Sequence, residues 1–264
     1  MKWAPDVETS MKKVPFVIRK RAHSRVGEKA RQAGKEIVST EDVKVTPGRL
    51  VSKMGSEIKG YQLEICFGPS GCPNRANISD HLFQKIETLL KGEKLLSFLK
   101  KKLKGDLKFH HEFRVTLADC PNACSQPQIK DIGIIGATLP EVTEEDCSQC
   151  EACVSACQED AIHLENRSAV IDFNKCLGCG KCIRVCPTGT LAAECKGYRV
   201  QLGGKLGRHP KLANELPGLY SQEEVLEIVK GCIGVYKKKN THGQRFAEIF
   251  THTDFEKLKN RYRR

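Results

Sequence analysis

Eight of the chain's 14 cysteines form two runs with identical spacing. The runs are Cys147-x2-Cys150-x2-Cys153-x3-Cys157 and Cys176-x2-Cys179-x2-Cys182-x3-Cys186. Three thiolates placed two residues apart can bind three irons of a cubane, and the fourth can reach a second cubane. A zinc site needs four ligands per ion, usually as two separated Cys-x2-Cys pairs, and leaves the third cysteine and the x3 spacing unexplained. The spacing therefore predicts two 4Fe–4S clusters.

Crossed ligation divides these cysteines into two sets. The first ferredoxin set is Cys147, Cys150, Cys153 and Cys186. The second ferredoxin set is Cys157, Cys176, Cys179 and Cys182. The pattern is typical of bacterial-type ferredoxins, except that Gln158 stands where the first run could have a proline. Clusters with crossed ligands lie close together, so we expect this segment to carry electrons.

Four further cysteines occur as two pairs upstream. We call Cys66, Cys72, Cys120 and Cys124 the core cysteine set. Their x5 and x3 spacings fit neither ferredoxins nor zinc fingers, but four thiolates can bind a third cubane if the two loops meet at strand ends. The alternatives are two unrelated pairs of buried thiols or a structural metal. Cys195 and Cys232 fall outside every set, and Cys232 is expected to be a buried apolar residue.

Composition narrows the class of protein. The N-terminus has no apolar signal region, and no run reaches the roughly 18 apolar residues of a membrane span. Clustered cysteines in a chain without an export signal are more often metal ligands than disulfides, so we expect a cytoplasmic metalloprotein. The chain has 44 Lys+Arg against 32 Asp+Glu, yet residues 139–195 have 4 against 10. The ferredoxin-like segment is thus acidic within a basic chain.

The elements around the cysteines predict an α+β fold. Alternating apolar residues indicate strands at 61–65, 113–117, 132–136 and 198–202, and the first two lead directly into the core cysteine loops. Apolar residues at helical spacing indicate helices over 79–90 and 95–99. Ser221 and Glu224 form a capping box for a later helix, and one amphipathic helical tail is expected from Phe246 onward.

The loops and strands around the core cysteine set resemble the sulfite and nitrite reductase family. The resemblance is carried by residues 66–72, 113–124, 128–136 and 198–210. It is strongest to the small dissimilatory and anaerobic sulfite reductases, which insert a two-cluster ferredoxin domain after the second cysteine pair. It implies a sirohaem and 4Fe–4S half-domain, with three 4Fe–4S clusters and one sirohaem in the chain.

The same resemblance implies roles for individual residues. Cys124 would bind the core cluster and also be the axial ligand of the sirohaem iron, which would couple the two centres. Candidates for contacts with the anionic substrate or cofactor are Arg114, Lys130 and Arg208. Candidates for contacts with the sirohaem carboxylates are Arg75, Arg199 and Lys205. Each basic residue taken alone could equally be an ordinary surface charge.

The N-terminal segment resembles a different family. Trp3, Glu28, Gly34 and residues 14–19, 30–31 and 40–43 are similar to the small C-terminal helical domain of light-independent protochlorophyllide reductase. That resemblance would imply tetrapyrrole binding, and the alternative is a helical dimerisation or packing arm. We predict a helical arm over 1–47, a reductase domain over 48–138 and 191–264, and a ferredoxin insert over 139–190.

The expected activity is reduction of sulfite to sulfide, with electrons entering through the insert. The alternatives are nitrite reduction at the same site and a non-catalytic protein that carries electrons or binds a tetrapyrrole within a larger complex. Members of the family are built from two related halves and only one is visible here, so a second copy or another subunit is the expected partner, together with an electron-donor protein. No nucleic acid is expected, because the motif regions lack interleaved aromatic residues.

Overall fold

The computed structural model describes residues 2–5, 7, 26–27, 30–31, 34–39, 58–103 and 105–262. The chain divides into two compact units, residues 1–58 and 59–264. The predicted boundary at residues 47 and 48 falls outside the described residues. In the described part of the chain, no helix has both the length and the apolar composition of a membrane span.

The N-terminal unit contains a small parallel pair of strands. β1 (Lys2–Trp3) pairs with β2 (Ile37–Val38). A cluster of buried apolar residues accompanies the strands: Val7, Val26, Ala30 and Val38. Gly34 has a φ of +70° and its N–H donates to Arg31 O at 3.0 Å, a conformation typical of the residue that follows a helix. Residues 14–19 and 40–43, which carry part of the resemblance, lie outside the described residues.

Strands and helices of the larger unit follow in chain order. The strands are β3 (Tyr61–Ile65), β4 (Phe113–Ala118), β5 (Ile132–Val142), β6 (Ile162–Glu165), β7 (Ser168–Ile171), β8 (Leu191–Leu202) and β9 (Asn214–Glu215). The helices are α1 (Asp80–Gly92), α2 (Leu95–Lys102), α3 (Ala152–Ala156), α4 (Lys181–Val185), α5 (Gln222–Lys239), α6 (Phe246–Ile249) and α7 (His252–Arg261). The sheet order is β3-β4-β5-β8-β9, with β3, β4 and β5 parallel and β8 and β9 antiparallel to their neighbours.

The two faces of this sheet differ because side chains alternate along each strand. Val115, Leu117, Ile134 and Val200 lie on the face that packs against α1 and α5 in the main core. The opposite face carries polar residues such as Glu64, Arg114, Arg199 and Gln201. The sheet is therefore covered by helices on one face and polar on the other.

β5 and β8 are longer than the sequence predicts. The pair continues to Val142, which lies opposite Leu191, and the segment between them holds α3, α4 and the β6–β7 hairpin. The extension includes Glu194 and Lys196, which have no apolar alternation. Pairing of the two strands with each other supplies the backbone hydrogen bonds, which a sequence pattern does not reveal.

The C-terminal stretch is two helices and not the single tail that the sequence predicts. α6 ends at Ile249, and α7 begins after Thr251. Thr251 Oγ1 accepts a hydrogen bond from the Asp254 N–H at 3.3 Å, and the Thr251 N–H donates to Asp254 Oδ2 at 2.8 Å. This capping box starts a new helix, and the Thr-x-x-Asp pattern was the signal for it. The predicted Ser221–Glu224 capping box is confirmed.

Candidate active site

The core cysteine set lies where β3 and β4 end. Cys66 directly follows β3, and Cys120 follows β4 by two residues. The two strands are parallel neighbours, so their carboxyl ends lie at one edge of the sheet. The Cys66 N–H donates to Leu117 O at 3.0 Å, and the Asp119 N–H donates to Cys66 Sγ at 3.3 Å. Hydrogen bonds thus join the strand ends and the two cysteine loops.

The four thiols of this set influence one another. Burial raises the pKa of the Cys120 thiol, and the neighbouring Cys124, Cys66 and Cys72 raise it further. Neighbouring thiolates repel one another, so each thiol of the group holds its proton more tightly. Bound iron compensates the negative charge of the thiolates and allows them to form, so this donor set fits an iron–sulfur cluster. Cys124 is exposed, and its Sγ accepts a hydrogen bond from Asn122 Nδ2 at 2.9 Å. A ligand shared with a haem would require such an exposed position.

A buried charge pair connects the two core loops. The Asp119 side chain is 1% exposed, and Arg75 Nε lies 2.5 Å from its Oδ2. Arg75 also pairs with Asp80. A Cβ atom at Gly68 would lie 2.3 Å from Asp119 Oδ2, so the loop passes this carboxylate only because residue 68 is glycine. Asp119 was not among the predicted site residues, although its place directly before Cys120 was a signal.

The first ferredoxin set lines one cavity. Cys147, Cys150, Cys153 and Cys186 all contribute to its wall, so the last cysteine of the second run lies with three of the first run. Burial raises the pKa of Cys153, and Cys147 and Cys186 raise it further. Backbone N–H groups donate to the sulfurs, from Gln149 to Cys147 and from Leu191 to Cys186, both at 3.4 Å. Such bonds stabilise thiolates that bind iron.

The second ferredoxin set is brought together in the same crossed way. Burial raises the pKa of Cys182 to about 11, and Cys179, Cys176 and Cys157 raise it too. The Ala161 N–H donates to Cys157 Sγ at 3.3 Å. Within the described residues, no three Cys, His, Asp or Glu side chains form a group for a single metal ion.

A cleft of about 380 Å³ lies between the core and the ferredoxin-like segment. Cys120 of the core cysteine set and Cys179 of the second ferredoxin set both line it. Its other lining residues are Asn74, Pro121, Asn122, Gln158, Glu159, Leu177 and Lys181. The second ferredoxin set is therefore the one that faces the core across this cleft.

Most of the predicted basic residues have acidic partners. Lys130 pairs with Glu64 at 2.5 Å, Arg199 with Glu215 at 2.6 Å, and Lys205 with Glu248 at 3.2 Å. Arg114 is half-buried, and its Nε has no hydrogen-bond partner in the described part of the chain. Arg208 is exposed and forms no ion pair with any residue that the structure describes. Of the six, Arg114 and Arg208 are thus the ones without an ion-pair partner there.

Comparison with known proteins identifies the family. A family profile described as "Nitrite and sulphite reductase 4Fe-4S domain" matches residues 70–264, which is most of the chain. The chain belongs to this family. The predicted resemblance of the core cysteine loops to sulfite and nitrite reductases is thereby confirmed, and so is the α+β fold class, whereas the resemblance of the N-terminal segment stays a prediction.

Several characterised and solved proteins of this type are similar to the chain. A coenzyme F420-dependent sulfite reductase of Methanocaldococcus jannaschii is 32% identical over 150 residues, which cover 56% of this chain and 24% of that protein. One of the subunits of an anaerobic sulfite reductase of Salmonella typhimurium is 33% identical over 140 residues, covering 51% and 41%. The crystal structure of dissimilatory sulfite reductase I matches with a TM-score of 0.51 and 16% identity, covering 74% and 50%. The chain thus matches only a quarter to a half of these proteins.

Proposed function

We propose that this chain is the iron–sulfur and sirohaem half of a sulfite reductase. The observation that carries the proposal is that hydrogen bonds join the two loops of the core cysteine set, which are close enough for Cys66, Cys72 and Cys124 to act on the pKa of Cys120, and that Cys124 is the exposed residue of the set. The family match and the sulfite reductases among its relatives support the substrate class.

The proposed cofactors are three 4Fe–4S clusters and one sirohaem. The core cysteine set would hold one cluster, and each ferredoxin set would hold another. When bound, the sirohaem would supply an iron centre that accepts electrons singly and holds the substrate during its reduction. Cys124 would hold the sirohaem iron as well as the core cluster, because it is the exposed residue of the set.

The chain's own residues would feed electrons to this centre in a fixed order. The first ferredoxin set would receive electrons from a donor protein, since it does not line the cleft toward the core. The second ferredoxin set would pass them to the core through the cleft that Cys179 shares with Cys120. Sulfite reduction to sulfide takes six electrons, so a chain of one-electron centres suits the reaction.

Basic residues would bind the anions. Arg114 and Arg208, whose side chains form no ion pair within the described residues, are the proposed contacts of the substrate or of sirohaem carboxylates. The other four predicted basic residues could bind these anions only by rearranging or sharing their existing ion pairs. They are Arg75, Lys130, Arg199 and Lys205. Their predicted roles therefore stay predictions.

A partner is also part of the proposal. The chain matches at most half of these similar proteins, and the one from Salmonella typhimurium is named as a subunit. We propose that the site is completed by a second copy or by a different subunit, and that the domain boundaries follow the predicted arm, reductase domain and insert. The cytoplasmic location stays a prediction.

The first experiment tests cofactor and activity together. Anaerobically purified protein is expected to show a Soret band, a red-region band and about 13 irons per chain, 12 in clusters and one in sirohaem. Cys124→Ala should lose most sulfite-dependent oxidation of a reduced viologen dye while keeping the ferredoxin clusters. Cys195→Ala, which removes a thiol outside every set, is the control.

The outcomes separate the candidate functions. Faster dye oxidation with nitrite than with sulfite would indicate that nitrite is the substrate. The protein should be isolated from cells that make sirohaem. If it then shows iron–sulfur absorption but no Soret band, the proposed reductase activity is contradicted and a non-catalytic electron carrier is favoured.

A further inference from the structure

The loop of residues 176–180 lies directly on strand β5. The Thr138 N–H donates to Gly178 O at 2.8 Å, and Thr138 forms a parallel bridge with Cys179. The Thr138 hydroxyl donates to Ala76 O at 2.6 Å, on the segment that follows Cys72. One residue of β5 thus contacts both the second ferredoxin set and the core cysteine loops.

The contact between this loop and β5 is close. Gly178 has a φ of +70°, and a Cβ there would lie 3.1 Å from Ala137 Cβ. Gly180 has a φ of +65°, and a Cβ there would lie 3.4 Å from Thr138 Cβ. The two glycines give the loop both its left-handed turns and its close approach to the strand.

Arg199 reaches the same loop from the neighbouring strand β8. Its Nε and Nη2 donate to the two carboxylate oxygens of Glu215 at 2.6 and 2.8 Å, and its Nη1 donates to Leu177 O at 3.4 Å. The side chain is only 20% exposed. Leu177 stands directly after Cys176 and two residues before Cys179. A guanidinium held by Glu215 therefore lies against the loop backbone between two cysteines of the second ferredoxin set.

We propose that Arg199 is a positioning residue that docks the 176–180 loop onto the sheet and places a fixed positive charge beside the second ferredoxin cluster. The inference rests on the proposed function, because it needs a cluster at that set. A reduced cluster carries one more negative charge than an oxidised one, so a nearby cation stabilises the reduced form. Docking keeps Cys179 on the cleft that it shares with Cys120, so Arg199 serves both electron uptake and the crossing to the core.

The test compares three variants of the holoprotein. Arg199→Gln removes the charge and the fork, Arg199→Lys keeps the charge but cannot bridge Glu215 and Leu177 in the same way, and Lys196→Gln removes an exposed charge from the same strand. The readouts are the midpoint potential of each cluster, from redox titration followed by electron paramagnetic resonance, and hydrogen exchange of the amides in residues 176–180.

We expect Arg199→Gln to lower the potential of the second ferredoxin cluster and to speed amide exchange in the loop. The first ferredoxin cluster should keep its potential. Arg199→Lys should restore the potential but not the slow exchange, which separates the charge from the docking. An Arg199→Gln protein with both readouts equal to those of Lys196→Gln would overturn the inference.

Iron content and cluster signals of the unaltered protein are measured first, so that the two failures stay distinct. An insert without iron–sulfur signals in the unaltered protein would contradict the proposed function and this inference with it. Intact clusters with an unchanged potential and unchanged exchange would contradict only the role of Arg199.

Discussion

Asp131, directly before β5, is a buried carboxyl that feels the charges of Arg114 and Arg245. The Arg114 N–H donates to Asp131 Oδ2 at 2.8 Å. Burial raises the pKa of Asp131 to about 6, although Arg114 and Arg245 act to lower it. The folded protein therefore binds a proton at this site more tightly than the unfolded chain does.

This raised pKa predicts a pH dependence of stability. The contribution of Asp131 is fully present below its unfolded pKa and is lost as the pH rises through about 6. Relative to Asp131→Asn, the unaltered protein should therefore gain about 1 kcal/mol in free energy of unfolding between about pH 7.5 and about pH 5. Denaturant unfolding of both proteins measures this difference. The exposed Asp106→Asn is the control, and an equal pH dependence for Asp131→Asn and the unaltered protein would contradict the assignment.

At the scale of elements, two glycines differ in how closely other atoms pack around them. Gly68 lies in the loop after β3, against the Asp119 carboxylate, whereas Gly234 lies on the exposed side of α5 with no atom near its Cβ position. The same substitution at these two positions should thus have opposite effects.

Gly68→Ala should destabilise the protein by ~1–3 kcal/mol, because the added methyl overpacks the contact with Asp119. It should also lower the iron content of the core cysteine set, since that loop carries Cys66 and Cys72. Gly234→Ala should stabilise the protein by ~0.5–1 kcal/mol, because alanine loses less backbone entropy in a helix. Thermal or denaturant unfolding and iron analysis check both. A Gly68→Ala protein as stable and iron-rich as the unaltered one would show that the loop can shift freely.

At the scale of the whole molecule, the acidic ferredoxin-like segment and the core are connected by the β5–β8 pair and by the 176–180 loop. The proposed electron route runs from the first ferredoxin set through the second to the core cysteine set. Electrons from a protein donor are thus expected to cross the cleft lined by Cys179 and Cys120.

Cys182→Ser should remove the second ferredoxin cluster and leave the core spectrum in place. Reduction of the core by a small reduced ferredoxin should then slow strongly, while a small viologen dye should still reduce it directly. Stopped-flow absorption at the Soret band measures both rates, with Cys195→Ser as the control. If reduced ferredoxin reduced the core of the Cys182→Ser protein as fast as that of the unaltered protein, electrons would enter the core by another route.

The sequence alone determined the identity of the cysteine sets, the main strands and helices, and the family. Cysteine spacing is a local property, and amphipathic periods of two and 3.6 residues report directly on strands and helices such as β4 and α1. The family match confirms the predicted resemblance to sulfite and nitrite reductases, while the binding roles of the cysteines stay predictions.

Only the tertiary structure decided which groups meet across long separations in the chain. Asp119 pairs with Arg75, Cys179 lines a cleft with Cys120, and Arg199 reaches Leu177 because parallel strand ends and the extended β5–β8 pair bring these segments together. The same holds for the partners of the basic residues, since an ion pair such as Lys130 with Glu64 depends on which strands are neighbours. The charge and spacing of the residues specify which interactions each can form, but the sheet order decides with which partners it forms them.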